Sequence, residues 1–234
     1  MNDQGIFIDA LRLIATGDAQ FLGIVGLSLA ITFVSVAIAC VIGLPLGAAL
    51  AVFRFPGRGI LSVLVATGMG LPPVVVGLVL YLLFSQAGPL AVLDLLYTPA
   101  AMVIAQVILV TPIVTTVAQQ VITDLHEEYG ETLRAMRASG WETMATLLRD
   151  GAPALVTAAL AGLGRAFAEV GAVMIVGGNI NHATRVMTTA IALETSRGAL
   201  ELALALGIVL LVLSLIVSSC LIAIRGSLRG PAYA

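Results

Sequence analysis

Apolar residues along the chain gather into five long runs, at roughly Leu22–Phe53, Ile60–Phe84, Ala100–Val121, Ala154–Val176 and Leu200–Ile224. A helix needs about 20 mostly apolar residues to cross the hydrocarbon core, and each run is that long. Lipid offers the backbone no hydrogen-bond partner, so runs of this kind can only be helices. The first run is long enough to tilt, or to include an interfacial turn around Gly43-Leu44-Pro45-Leu46-Gly47. Gly43 and Gly47 have the spacing that permits close helix approach, but the intervening Pro45 favours turn geometry. The pattern predicts an all-α polytopic membrane protein of about five transmembrane helices, a single domain over residues 1–234.

The remaining segments follow other patterns. Residues 5–16 place Ile6, Phe7, Ala10, Leu11 and Ile14 on one helical face, as in a short amphipathic helix lying on the membrane surface. Residues 86–97 read as a short external loop without arginine. Residues 177–198 are too polar at their start to span and apolar enough later to rest against the outer membrane face. Between the third and fourth runs, residues 122–152 concentrate charge: Asp124, Glu127, Glu128, Glu131, Arg134, Arg137, Glu142, Arg149 and Asp150. From Leu125 to Leu148 the sequence favours two short helices broken at Ser139-Gly140, a cytoplasmic handle for a soluble partner.

Composition narrows the class. The chain is 60% hydrophobic and 10% charged, whereas soluble domains are about a quarter charged. All positive charge is arginine. Arg54, Arg58, Arg134, Arg137, Arg149, Arg225 and Arg229 fall on one side of the predicted spans, against Arg12, Arg185 and Arg197 on the other. The positive-inside rule then puts the amino terminus outside and the carboxyl terminus in the cytoplasm. The first run lacks the basic lead of a cleavable signal peptide and reads as a permanent span. No basic cluster suits nucleic acid. Cys40 and Cys220 lie in apolar runs, and His126 and His182 are expected on opposite sides of the membrane, so no metal site is expected. There is no phosphate-binding loop and no gathering of catalytic groups, so no cofactor and no enzymatic role are expected.

Candidate functional residues each have a structural alternative. Pro72 and Pro73 either kink their span or form a moving hinge. Thr111, Thr115 and Gln119 make an i, i+4, i+8 stripe that either bonds between helices or lines a wet path. Asn179, Asn181, Thr184, Arg185 and Thr188 could receive an anion or a docking partner outside, or simply end a helix. Arg165 sits about 18 Å into the fourth run at ~1.5 Å per residue, near the middle of a ~30 Å core. Glu169 follows at i+4, where opposite charges meet on a helix. That pair either marks the pathway or fastens the bundle.

Three segments carry a family resemblance. Glu131-Thr132-Leu133, then Arg134, Ala138, Ser139 and Trp141, resemble the cytoplasmic coupling loop of ABC-importer permeases. Arg137 stands where that pattern has glycine, and Pro153 falls three residues late. The stretch from Gly70-Leu71-Pro72-Pro73 to Gly88-Pro89-Leu90 and the run Gly164-Arg165 through Glu169-Val170-Gly171-Ala172 to Gly178-Asn179-Ile180 are similar to oxyanion permeases. The variant from Glu169 to Ile180, with Thr184-Arg185-Val186-Met187 after it, resembles tungstate permeases in particular. The resemblance implies a type I permease fold and two copies pairing in the inner, or plasma, membrane. It also implies cytoplasmic ABC ATPase subunits and an extracytoplasmic oxyanion-binding protein. It makes Glu131, Arg134, Ala138, Ser139, Gly140, Trp141 and Met144 the contacts to the ATPase, with Trp141 either filling a pocket there or anchoring at the interface. Tungstate is the expected cargo, with molybdate or sulfate, or a scaffold without transport, as alternatives.

Overall fold

The computed structural model describes the backbone of residues 3–228 and the side chains of residues 10–224. Ile6 and Phe7 of the predicted amphipathic face, and the side chains of Arg225 and Arg229, lie outside them. Helix α1 spans Asp3–Thr16, α2 Ala19–Val52, α3 Arg58–Gly68, α4 Pro73–Phe84 and α5 Pro99–Ala135. They are followed by α6 over Gly140–Asp150, α7 over Ala152–Phe167, α8 over Gly171–Gly177, α9 over Met187–Arg197 and α10 over Leu200–Leu228. Among the described residues there is no strand. Helices α2, α5 and α10 are each long and apolar enough to cross a membrane, and the count reaches five if α3 with α4 and α7 with α8 each form one broken span.

Contacts divide the chain into two compact units. One holds the residues up to Ser35 with Pro72–Gln106 and Ala166–Ile216; the other holds Val36–Leu71, Val107–Arg165 and the residues from Val217 on.

The first unit is built on a core of Ala10, Phe21, Ile24, Met187, Ala190, Ala205 and Leu206. In α1 the inward face is Ala10 with the half-buried Leu13 and Ile14, while Leu11, expected inward, is exposed. Helix α9 was expected to lie on the membrane surface. It packs instead through Met187 and Ala190 into this core, because those two residues recur at helical spacing opposite Phe21 and Ile24. Helices α4 and α8 meet through glycine: a Cβ at Gly77 would lie 2.8 Å from Ala172 Cα, and one at Gly171 would lie 3.0 Å from Val74 Cγ2. Pro72 (φ −66°, ψ 121°) caps α4 and Pro73 starts it. Proline has no N–H to give a preceding turn and disfavours helix in the residue before it, which ends the helix there and begins the next.

The second unit corrects two expectations. Helix α2 does not turn at residues 43–47 but continues through Pro45. Gly43 and Gly47 instead bring α2 onto α5: a Cβ at Gly43 would lie 2.9 Å from Val114 Cγ1, and one at Gly47 only 2.5 Å from the Thr115 carbonyl. Helix α5 does not end at Val121 but runs to Ala135. Ile122, Leu125, Tyr129 and Leu133 repeat every three to four residues and pack onto a core of Ala48, Ala51, Ala118, Leu147 and Leu155. The charges of that stretch occupy the other faces, and the helix predicted from Leu125 is joined to the third span without the expected interruption.

The contact at Gly47 leads to a prediction. Gly47→Ala should destabilise the protein by roughly 1–3 kcal/mol through overpacking. Gly26→Ala, with nothing within 4 Å of its new methyl, should be neutral or stabilising by up to about 1 kcal/mol. Thermal unfolding of both variants in one detergent checks this, and equal melting temperatures would mean that α2 and α5 do not touch at Gly47.

Candidate functional site

The segment after α5 is held by three local devices. At the end of α5, Arg137 N–H donates to the Arg134 carbonyl and Ala138 N–H to the Leu133 carbonyl, each at 3.0 Å. This is a Schellman cap, with Arg137 at φ 56° in its left-handed position. Next, Ser139 and Glu142 form a capping box: Ser139 N–H donates to Glu142 Oε2 at 2.7 Å, and Glu142 N–H to Ser139 Oγ at 3.3 Å. The Ser139 amide, and then its hydroxyl, hold the Glu142 carboxyl below the usual carboxylate range. A lowered folded pKa stabilises above the unfolded value and loses that contribution as pH falls through the folded one, so the box is intact at neutral pH. Finally, α6 buries Thr143 and Leu147 and leans Met144 and Leu148 on the second unit's core.

What this leaves outside is a small apolar and charged face. Trp141 is 69% exposed and sits edge-on against Phe53, ring centroids 5.1 Å apart. Phe53 also fits against Gly140, where a Cβ would come within 2.7 Å of its ring. Glu131, Arg134, Ser139 and Gly140 are exposed, Ala138 is half-buried, and Arg134 Nε donates to the Gly130 carbonyl at 3.2 Å. Of the sequence-derived residues of this segment, Glu131, Arg134, Ser139, Gly140 and Trp141 are therefore exposed, whereas Met144 packs on the core. Sequence reasoning missed Met136, which is 74% exposed in the turn, and Phe53, which positions Trp141. Neither belongs to the motif, and no local pattern marks them.

The residues assigned to a pathway divide between the units. In the first, Glu169 lies in the break between α7 and α8, 2% exposed. Its Oε1 accepts from Ala172 N–H at 2.8 Å and its carbonyl from the Thr188 hydroxyl at 2.9 Å. The fourth run is thus two helices, and Glu169 lies in the break beyond the end of α7, the helix that carries Arg165. Pro73 flanks the same region, 3.6 Å from a Cβ built at Gly171. Arg165 is in the last turn of α7, within the second unit. There too, Thr111 and Thr115 donate to the Val107 and Thr111 carbonyls of their own helix at 2.7 and 2.8 Å. Thr115 is fully buried. An open, largely apolar groove of about 420 Å³ lies between α3 and α5, where Ser62, Val63 and Ala66 face Thr116, Gln119, Gln120, Thr123 and Asp124. Gln119 Nε2 donates to Ser62 Oγ there at 3.1 Å.

In the segment expected to be external, most of the candidate polar side chains serve the segment itself. Thr184 is fully buried, donating to the Gly177 carbonyl and accepting from Ile180 N–H at 3.0 Å. Asn179, in a left-handed conformation at φ 49°, accepts from the Thr189 hydroxyl at 3.0 Å. Thr188 is committed to Glu169. Asn181 is exposed and accepts from Gln20 Nε2 at 3.2 Å. Arg185 lies 3.7 Å from Glu194, which also pairs with Arg197 at 3.4 Å.

Comparison with known proteins adds the following. A family model described as "binding-protein-dependent transport system inner membrane component" matches residues 43–225. The chain is 36% identical over 211 residues to a "probable anion ABC transporter permease protein" of Haloferax volcanii, across 87% of this chain and 91% of that one. It is 34% identical over 219 residues to the tungstate uptake system permease protein TupB of Peptoclostridium acidaminophilum, across 94% and 96%. A third relative, the molybdenum transport system permease protein ModB of Azotobacter vinelandii, is 32% identical over 178 residues, across 73% and 79%.

The cap at Arg137 is open to test. Arg137→Gly should stabilise the protein by about 1 kcal/mol, since the left-handed conformation costs an L side chain roughly 1–2 kcal/mol that glycine avoids. Ser139→Ala should cost about 0.5–2 kcal/mol by removing the helix cap. Hydrogen exchange of the α6 amides reads both; slower exchange in Arg137→Gly and faster exchange in Ser139→Ala are expected.

Proposed function

The chain belongs to the family of binding-protein-dependent transport system inner membrane components, and from that premise we propose that it is the membrane subunit of an importer carrying tungstate. Two copies pair about a twofold axis, the commonest closed symmetry, to complete one pathway. Two cytoplasmic ATPase subunits dock on residues 131–144, and an external binding protein delivers the anion. The amino terminus is outside, a placement that the arginine distribution supports. The outward apolar side chains of α10, including Leu211, Leu215 and Ile222, face lipid or the second copy.

The observation that carries this reading is the exposed face around Trp141 and Met136, held rigid by its caps and by Phe53 on a chain that has no phosphate-binding loop. An exposed tryptophan on a capped helix, with an exposed methionine in the turn that precedes it, is the kind of anchor that dominates protein interfaces. Tungstate is preferred because the TupB relative matches almost end to end; the molybdenum relative makes molybdate the competing cargo.

Reconstitution with the ATPase and the binding protein tests both parts. The double variant Trp141→Ala with Met136→Ala should weaken ATPase docking by about 2 kcal/mol, roughly 30-fold in affinity. Uptake should fall with it while the chain still inserts and melts as before. Full uptake in that variant would remove the docking role. Tungstate should outcompete equimolar molybdate and sulfate in the uptake assay; preference for either of the others would reassign the cargo.

A further inference from the structure

Within the first unit, a cavity of about 190 Å³ opens between the start of α2 and the 181–185 segment. Gln20, Asn181, His182 and Arg185 form its polar wall, opposite Ile24 and Leu27, and Arg185 brings the one full positive charge among them. Arg185 is the unusual member. Its side chain is only 11% exposed, and its buried Nε has no hydrogen-bond acceptor within the protein. The neighbouring carboxylate does not settle its charge: Glu194 stands between Arg185 and Arg197. One negative group shared by two guanidinium groups leaves a net positive charge. A buried cation with an unmatched N–H is a costly arrangement, and an anion relieves it through charge-assisted hydrogen bonds.

Size selects among anions. Sites for drug-sized molecules run to about 300–1,000 Å³, and a single water needs only about 10–15 Å³. The polar cavity beside Gln106 and Thr188, at about 10 Å³, has room for a water and nothing larger. The cavity at Arg185 lies between these limits, at the scale of a group of a few heavy atoms. Gly23 forms part of its wall, and a Cβ there would meet nothing within 4 Å, so the open space begins at the glycine itself.

We propose that this cavity is a binding site for a tetrahedral oxyanion, held by Arg185 with help from Gln20, Asn181 and His182. The shared chemistry is a phosphate-type group, whether a free oxyanion or the headgroup phosphate of an anionic lipid. The inference takes from the permease reading only the choice of tungstate as one probe. It is measured on the chain alone, without ATPase or binding protein, so its failure leaves the uptake experiments untouched.

The full-length chain in phosphatidylcholine nanodiscs is titrated by calorimetry with sodium tungstate and, separately, sodium phosphate. In a second arm the nanodiscs contain phosphatidylglycerol, and native mass spectrometry counts retained lipid. A free-oxyanion site gives saturable binding in the first arm, weakened by about tenfold or more in Arg185→Gln, the loss of one charge-assisted contact. A headgroup site gives no binding in the first arm and Arg185-dependent lipid retention in the second. Gly23→Leu leaves every charge in place but fills the cavity, and it should abolish binding in whichever arm shows it. That variant decides the matter if Arg185→Gln does not fold. Binding in neither arm, or binding that survives Gly23→Leu, overturns the proposal.

Discussion

Between α7 and α8 the chain interrupts its helix in a segment whose composition belongs in lipid, where water cannot take up the backbone groups set free. They are met from inside the first unit. Glu169 Oε1 takes the Ala172 amide, the Glu169 carbonyl takes the Thr188 hydroxyl, and Gln106 Nε2 donates to the Ala166 carbonyl at 3.4 Å. These three bonds bind α5, α9 and both sides of the break to one another. Much else in the unit answers to them: α9 must lie inward for Thr188 to reach, and α8 must start where Glu169 can cap it. The carboxyl group that looked like half of an intramembrane ion pair is thereby also a helix cap.

How far the sequence discloses this depends on how local each determinant is. Five apolar runs announce themselves by length, and the break at Pro72-Pro73 is written in the chemistry of proline. The break at Glu169 has no such mark, because the residue that satisfies it, Thr188, lies nineteen positions further on. The sequence reading ended the third span at Val121 and began a separate helix near Leu125; the repeat of Ile122, Leu125, Tyr129 and Leu133 on one face joins the two into α5. Gly43 and Gly47 were legible as a close-contact pair, but Pro45 argued against them; in the structure that proline is simply accommodated within α2. The turn at Ser139-Gly140 was legible from its own residues. Met136 was not, since its exposure is set by where α5 stops.

The segment from Glu131 to Asp150 shows how an oxyanion permease of this family can offer a stiff surface with little material. Its two helices do not float on a loop. One is the direct continuation of α5, and the other is pinned through Leu147 and Thr143 to the core of the second unit. A push on Trp141 is received by Phe53, immediately beyond α2, and a push on Met144 by the core that α2 and α5 share. Arg137, tolerated in a conformation that favours glycine, shows that hydrogen bonding here outweighs residue preference.

The threonines of α5 have one more consequence. Thr111, Thr115, Thr116 and Thr123 each donate their hydroxyl hydrogen to a carbonyl of the preceding turn, at 2.7–2.8 Å. A hydroxyl so engaged has no proton left for a neighbour. To whatever lies beside the helix, each of these residues therefore displays chiefly a methyl group and an oxygen that can only accept. These four hydroxyls offer an anion no donor; the amides of Gln119 and Gln120 are the donors that α5 has there. The polarity of these threonines is thus largely consumed within the rod, and α5 enters the bilayer as a more oily object than its letters suggest.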